Sequence, residues 1–257
     1  MRLVLEIQNV TKRYGALTAV RDVSFAVRPG DILGYLGSNG SGKSTTVKMI
    51  VGLMPPTHGR ILYKGSDIQD HLVDYKARVG YVPEEAHVYT YLTGPEYLRL
   101  CGRLRGMDAV PLEDKIGRFL RVFGLDGDYH APLASFSKGM RQKILLSAAL
   151  LHNPDIIVLD EPVSGLDVST ALVLRAMVQA LAAEGRLIFY SSHELETVEA
   201  ISTRVIILQA GRVVADDSAS RLRELMHAPS LADVFAQLAV RENVGQMADA
   251  LLEATRL

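Results

Sequence analysis

The eight residues Gly37-Ser-Asn-Gly-Ser-Gly-Lys-Ser44 stand directly after the apolar run 32–36 and directly before a stretch, from Lys43 to about Gly52, that reads as helix. A strand, a glycine-rich turn and a helix in that order build a loop for phosphate. Gly40 and Gly42 let the backbone curl so that N–H groups point inward, and the helix that follows adds its positive N-terminal end. Lys43 contributes a point charge, and the Ser44 hydroxyl is the hard oxygen donor expected on Mg²⁺. Gly37, Ser38, Asn39, Ser41 and Thr45 fill out the same loop, and the expected ligand is ATP with Mg²⁺.

A matching half-site comes more than a hundred residues later. Ile156-Ile-Val-Leu159 reads as a buried strand and runs straight into Asp160-Glu161-Pro162. Two carboxylates at the end of such a strand sit at the carboxyl edge of a parallel sheet, where ligands of these folds bind. Asp160 is the expected Mg²⁺ ligand, and Glu161 the group that orients and deprotonates an attacking water. On its own this segment also reads as a solvated acidic loop; the phosphate loop upstream argues for the catalytic reading.

Short strand signals cover 3–10, 17–27 and 32–36, and Pro55, Pro56 and Gly59 force a turn before further ones at 60–63 and 79–82. From about Thr93 to Leu151 the texture changes to helical periodicity, at 96–104, 112–123 and 138–151. This reads as a helical lobe, about 88–152, inserted into an α/β core. Strand and helix alternate again at 156–159, 168–183 and 187–191, with helix from Glu194 and strands at 204–208 and 212–215, implying a parallel sheet with crossover helices. The last forty residues read as amphipathic helices, with Ser218 and Ser230 as N-caps.

Composition narrows the function classes. A formal net charge of -1 supplies no global positive field for a phosphate backbone, so no nucleic-acid partner is expected, a local basic patch being the alternative left open. The single cysteine, Cys101, allows neither a disulfide within the chain nor a cysteine zinc cluster. Arg2, Glu6, Lys12 and Arg13 break up any apolar signal region, which points to a chain that is not exported. The longest apolar runs fall far below the roughly 18 residues that span a bilayer, so a membrane role requires a partner.

Three more segments point to one family. Phe136-Ser-Lys-Gly-Met-Arg-Gln142 opens a helix, Ser164-Gly-Leu-Asp167 follows the two carboxylates, and Tyr190-Ser-Ser-His193 ends the next strand. In this order and spacing they resemble the signature motif, D-loop and H-loop of ATP-binding cassette (ABC) ATPases, over 3–216. The resemblance implies a fold class of α/β type: a P-loop NTPase core with a mixed or parallel sheet, an N-terminal antiparallel β subdomain and the inserted α-helical subdomain. It implies an ABC ATPase domain over 1–216 and a short helical tail over 217–257. It further implies that Ser137, Lys138, Gly139 and Met140 reach the nucleotide of an opposite subunit, that His193 contacts the γ-phosphate and attacking water, and that Asp167 sits at the subunit interface. Tyr14 resembles the aromatic that stacks on adenine. Each residue has a plainer reading: an ordinary helix cap for Ser137 and Gly139, a satisfied strand-end histidine for His193, a core tyrosine for Tyr14.

Two departures from the family's common pattern stand out. Val82-Pro83-Glu84 carries glutamate where glutamine is usual, leaving an oxygen ligand for Mg²⁺ with an added negative charge, and Lys138 replaces a glycine of the signature. Both variants resemble those of single-domain bacterial subunits that serve exporters. The implied function is ATP hydrolysis by a head-to-tail dimer, most simply a homodimer, that energises separate integral-membrane permease subunits for export at the cytoplasmic face of the membrane. Tyr89, Tyr91, Tyr97 and Leu98 offer an apolar docking face, with a place in the buried core the equal alternative for any one of them. The alternative is a soluble ABC-type ATPase acting on ribosome, DNA or cluster-assembly partners; relatives of that kind carry a second cassette or a coiled-coil insertion. A P-loop kinase or GTPase leaves the signature and D-loop unexplained.

Overall fold

A computed structural model of the chain describes residues 4–85, 87–239 and 254. Two sheets organise it. The first is antiparallel, in the order β2 (Leu17–Val27), β1 (Leu5–Tyr14), β4 (His58–Tyr63), β5 (Ser66–Asp67). β1 extends four residues past the expected strand because register shifts between Ile7 and Arg13 let it keep pairing with β2 while twisting.

The second sheet runs β10 (Arg212–Asp217), β9 (Arg204–Gln209), β3 (Ile32–Gly37), β8 (Leu187–Ser191), β7 (Ile156–Asp160), β6 (Val79–Val82). All its pairings are parallel except the edge pair of β9 with β10. Its central strands are apolar throughout, as strands covered on both faces must be. Alternation divides them cleanly. Leu33, Tyr35, Val158, Phe189 and Ile206 face the antiparallel sheet and α1 (Lys43–Ile50), while Leu36, Leu159, Tyr190 and Ile207 face the helices of the other side. Tyr35 and Phe189 pack with ring centroids 4.8 Å apart and Phe25 beside them, tying the two sheets together. Burial of each such ring is worth about 2 kcal/mol or more.

Between β6 and β7 lie α3 (Gly94–Leu104), α4 (Ala109–Val122) and α5 (Lys138–Leu150). α3 starts two residues before the periodicity expected, because Thr93 and Glu96 form a reciprocal capping box that fixes its first turn. Of the two places open to the apolar residues at 89–98, Leu98 takes the core and is fully buried, whereas Tyr89 and Tyr91 are exposed. The reason is helical phase: Leu98 stands on the inward stripe of α3 with Gly94 and Gly102.

After β7 come α6 (Val168–Ala183) and α7 (Leu195–Ile201), and after β10 come α8 (Ala219–Met226) and α9 (Leu231–Ala239). Ser218 caps α8 through the Arg221 N–H, and Ser230 accepts the Asp233 N–H at the start of α9. The expected helices beyond residue 239 lie outside the described residues. Among the described strands and α-helices, the two-residue β5 and α2 (Leu72–Lys76), a single turn and a half before β6, carried no sequence signal.

Candidate nucleotide site

Four neighbouring parallel strands end at one edge of the second sheet, and each delivers a segment to the same place. β3 runs into the loop 37–44, β6 into Pro83 and Glu84, β7 into Asp160 and Glu161, and β8 into Ser192 and His193. A cavity of about 550 Å³ opens there, lined by Gly37, Ser38, Asn39, Gly40, Lys43 and Ser44. Glu84, Asp160, Glu161 and His193 line its far wall.

The loop takes its shape from glycine. Gly42, the residue before α1, has φ 104°, and a Cβ there would lie 2.5 Å from the Ala19 carbonyl oxygen, so no other residue fits without displacing backbone. Its carbonyl accepts the Thr46 N–H at 2.9 Å, the first bond of the helix. Lys43 Nζ donates to the Gly37 carbonyl and closes the loop on itself. Ser41 is buried beneath the loop with its hydroxyl unpartnered, and Thr45 lies behind the loop on α1, outside the cavity lining.

The carboxylate side is held just as specifically. Asp160 pairs in register with Ser191 of β8, and this brings the next residues of both strands together. Glu161 adopts φ 50°, a left-handed conformation costing a glutamate about 1 kcal/mol or more, and is held there by its own N–H on the Ser191 carbonyl at 2.9 Å. That conformation turns its side chain back towards β8. His193 Nδ1 lies 2.7 Å from Glu161 Oε2, and the Ser192 hydroxyl donates to the same oxygen at 3.2 Å. With Nδ1 so engaged, Nε2 is the ring nitrogen left to face a phosphate.

Charge in the cavity is unbalanced. Burial pushes the Asp160 carboxyl up to about 6; the neighbouring Ser191 hydroxyl opposes this, Glu84 and Glu161 add to it, and Lys43 opposes it. Burial also pushes the Lys43 ammonium below its usual value, while Glu161, Asp160 and Glu84 pull it back. Three carboxylates facing one lysine form a site short of positive charge. Ser44, Glu84 and Asp160, all lining the cavity, are the hard oxygen donors Mg²⁺ selects. The residues fit the ion.

A stability consequence follows. Asp160 binds its proton more tightly in the folded chain, at about 6, than at its ordinary 3.8. Its favourable contribution is present below about pH 4 and lost as pH rises through 6, which makes ionised Asp160 cost about 3 kcal/mol at pH 8. Asp160→Asn is therefore expected to raise the melting temperature of the nucleotide-free protein by about 5 °C or more at pH 8. Thermal unfolding across pH 4.5–8 checks this, since the gap must close as pH falls; a gap independent of pH contradicts it.

The remaining expected residues stand elsewhere. Ser137 caps α5 by accepting the Met140 N–H at 3.2 Å and does not line the phosphate cavity. Gly139 packs so closely on the D-loop that a Cβ would lie 2.4 Å from the Gly165 carbonyl oxygen. Lys138 reaches Ser164 Oγ at 2.6 Å and, with Arg141, lines a second cavity that shares Glu84, Glu161 and His193 with the first. Met140 is half-buried against the core. Asp167 caps α6, and the Thr170 N–H and hydroxyl, with the Ser169 hydroxyl, hold its carboxyl well below the usual range. Tyr14 is exposed rather than a core residue, its hydroxyl 3.1 Å from Met54 Sδ at the open end of β1. Sequence reasoning missed Ser192, whose only signal was its place beside His193, and Leu195 and Phe235, which line the phosphate cavity without any motif.

A strand, phosphate loop and helix facing a strand that ends in two carboxylates define a P-loop nucleotide-binding cassette. The family model described as ABC transporter matches residues 20–164. The chain belongs to the ABC transporter family and is an ATP-binding subunit of that kind. It is 36% identical over 224 residues to the ABC transporter ATP-binding protein NatA of Bacillus subtilis, covering 87% of this chain and 91% of that one. It is 33% identical to the bacitracin transport ATP-binding protein BcrA of Enterococcus faecalis, over 87% of this chain and 72% of that one. A solved ATP-binding subunit of an ABC transporter superposes with a TM-score of 0.85 at 33% identity, covering 91% of this chain and 98% of that chain. A dimeric bacterial ABC transporter cassette shares the fold, with a TM-score of 0.76 at 24% identity over 83% of this chain and 98% of that one.

Proposed function

We propose that this chain hydrolyses Mg-ATP as one half of a head-to-tail homodimer and that the cycle drives a separate integral-membrane permease working as an exporter. The observation that carries the reading is the division of the site. The phosphate cavity holds the loop, the carboxylates and His193, while the exposed Ser137 of the signature stands outside it and points to a nucleotide held by a second copy.

In this reading the Glu161 carboxylate takes a proton from water as the water oxygen attacks the γ-phosphorus and the bond to the ADP oxygen breaks. His193, held by Glu161 through Nδ1, presents Nε2 to the γ-phosphate. Lys43 and the loop N–H groups neutralise the phosphate charge, and Tyr14 offers an exposed ring to the adenine. Ser44, Asp160 and Glu84 would hold Mg²⁺, which would supply electrostatic stabilisation of the phosphates. Ser137, Gly139 and Lys138 complete the partner's site, and Asp167 links the two.

No helix among the described residues is long and apolar enough to cross a membrane. A groove of about 680 Å³ between α2 and α3 supports the membrane coupling, with Tyr97, Cys101 and Leu104 on one side and Val73 and Pro83 on another. Pro83 adjoins Glu84, so a permease segment seated in the groove is one residue from the phosphate cavity. Relatives named for bacitracin transport, Nod factor export and linearmycin resistance support export over uptake. The test is to tag the chain, extract the producing cell's membranes gently and identify what copurifies in ATP and in nucleotide-free buffer. A polytopic membrane protein is the expected companion; ribosomal, nucleic-acid or cluster-assembly partners alone, from well-extracted membranes, overturn the transport assignment.

A further inference from the structure

The two helices after the second sheet bear on catalysis through a residue that belongs to no motif. α7 begins two residues after His193, and its buried Val198 lies so close to β3 that a Cβ on Gly34 would come within 2.5 Å of Val198 Cγ1. α7 therefore acts as a rigid stem for His193, whose own side chain is exposed and touches the protein through Glu161. One side of this stem is tied to α6: Arg175 donates to Thr197 Oγ1, which donates to Glu194. The other side is tied to the tail by Glu199.

Both oxygens of Glu199 are used. Oε2 accepts the N–H of Leu231, the first residue of α9, at 3.0 Å, and Oε1 pairs with Arg223 Nη1 of α8 at 3.2 Å. A carboxylate at a helix start is favoured by the exposed N–H groups there, and the arginine neutralises it. Leu231 and Val234 are fully buried beneath this contact. One turn on from Leu231, Phe235 lines the phosphate cavity beside Leu195, the first residue of α7. The tail thus backs the stem and walls the cavity.

We propose that Glu199 is a positioning residue for hydrolysis: it fastens α8 and α9 onto α7, and so holds His193 against Glu161. The inference rests on the hydrolytic reading above and goes beyond it by giving the tail a catalytic task. Glu199 touches neither ATP nor the reacting water, so its loss acts on turnover rather than on affinity. A misplacement of a catalytic group by a fraction of an ångström suffices for a tenfold effect.

The test compares full-length wild type, Glu199→Ala and Glu199→Gln. Glu199→Ala is expected to lower kcat about tenfold with KM for ATP within about twofold. Glu199→Gln, which keeps an acceptor for the Leu231 N–H, is expected to restore most of that rate. In a His193→Ala background Glu199→Ala is expected to add less than about a twofold loss, because residues acting as one unit are not additive. ¹⁵N-histidine NMR reads the same coupling without turnover: the His193 Nδ1 resonance, assigned by its loss in His193→Ala, is expected to shift in Glu199→Ala and return in Glu199→Gln. An unchanged resonance, or losses that multiply in the His193→Ala background, overturns the proposal. Wild-type turnover measured alongside tests the hydrolytic reading separately.

Discussion

Replacing Glu161 with glutamine is expected to lower the rate of ATP hydrolysis by about a thousandfold while leaving ATP bound. The side chain keeps its length and one acceptor oxygen, so the contacts to Ser192 and His193 survive in part, and only the capacity to take a proton is removed. Two carboxylates stand side by side here, but they are not interchangeable. Asp160 is almost fully buried and faces Lys43 and Glu84, whereas Glu161 is turned by its left-handed backbone towards His193. Single-turnover phosphate release and equilibrium ATP binding separate the two properties. A Glu161→Gln rate within tenfold of wild type shows that another group takes the proton and removes Glu161 from the base role.

The second large effect divides the site in two. Lys43→Ala is expected to weaken ATP binding by about tenfold to a hundredfold, since it deletes a charge-assisted contact to phosphate and leaves Glu161, Asp160 and Glu84 facing the ligand uncompensated. Ser137→Arg is expected to leave ATP affinity of the isolated subunit within about threefold, because Ser137 does not line the phosphate cavity, and yet to abolish hydrolysis. Binding measured by nucleotide titration and turnover measured by phosphate release give four numbers for the two variants. A Ser137→Arg variant that loses affinity as severely as Lys43→Ala puts the serine on its own chain's nucleotide and contradicts the division.

Much of this was legible in the sequence for a local reason. The phosphate loop is a strand end, a glycine turn and a helix start that are contiguous, so residues 37–44 carry their own context, and strand–helix alternation carries the parallel sheet. What was not legible depends on which strands become neighbours. The 2.7 Å contact of Glu161 with His193 spans 32 positions and exists because β7 and β8 are adjacent with Asp160 opposite Ser191. The left-handed backbone of Glu161 leaves no mark in residue type, since glutamate is not a residue that favours it. The sequence left Leu98 open between surface and core because the apolar cluster 89–98 spans a loop and a helix start, and only the capping box fixes which way the helix faces. Phe235 and Glu199 had no motif at all; their roles come from the docking of α9 on α7.

The central claim is that each catalytic site is completed by a second copy of the chain, and mixing two inactive variants tests it most directly. Lys43→Ala and Ser137→Arg are each expected to be silent alone. Combined in equal amounts, they form two-fold dimers in which one site carries both lesions and the other carries none. If the chains pair at random, half of the dimers hold one intact site of two, and hydrolysis should return to about a quarter of the wild-type rate. A mixture that stays silent, under conditions where wild-type chains hydrolyse ATP and the variants exchange partners, places the whole site within one chain and contradicts the account.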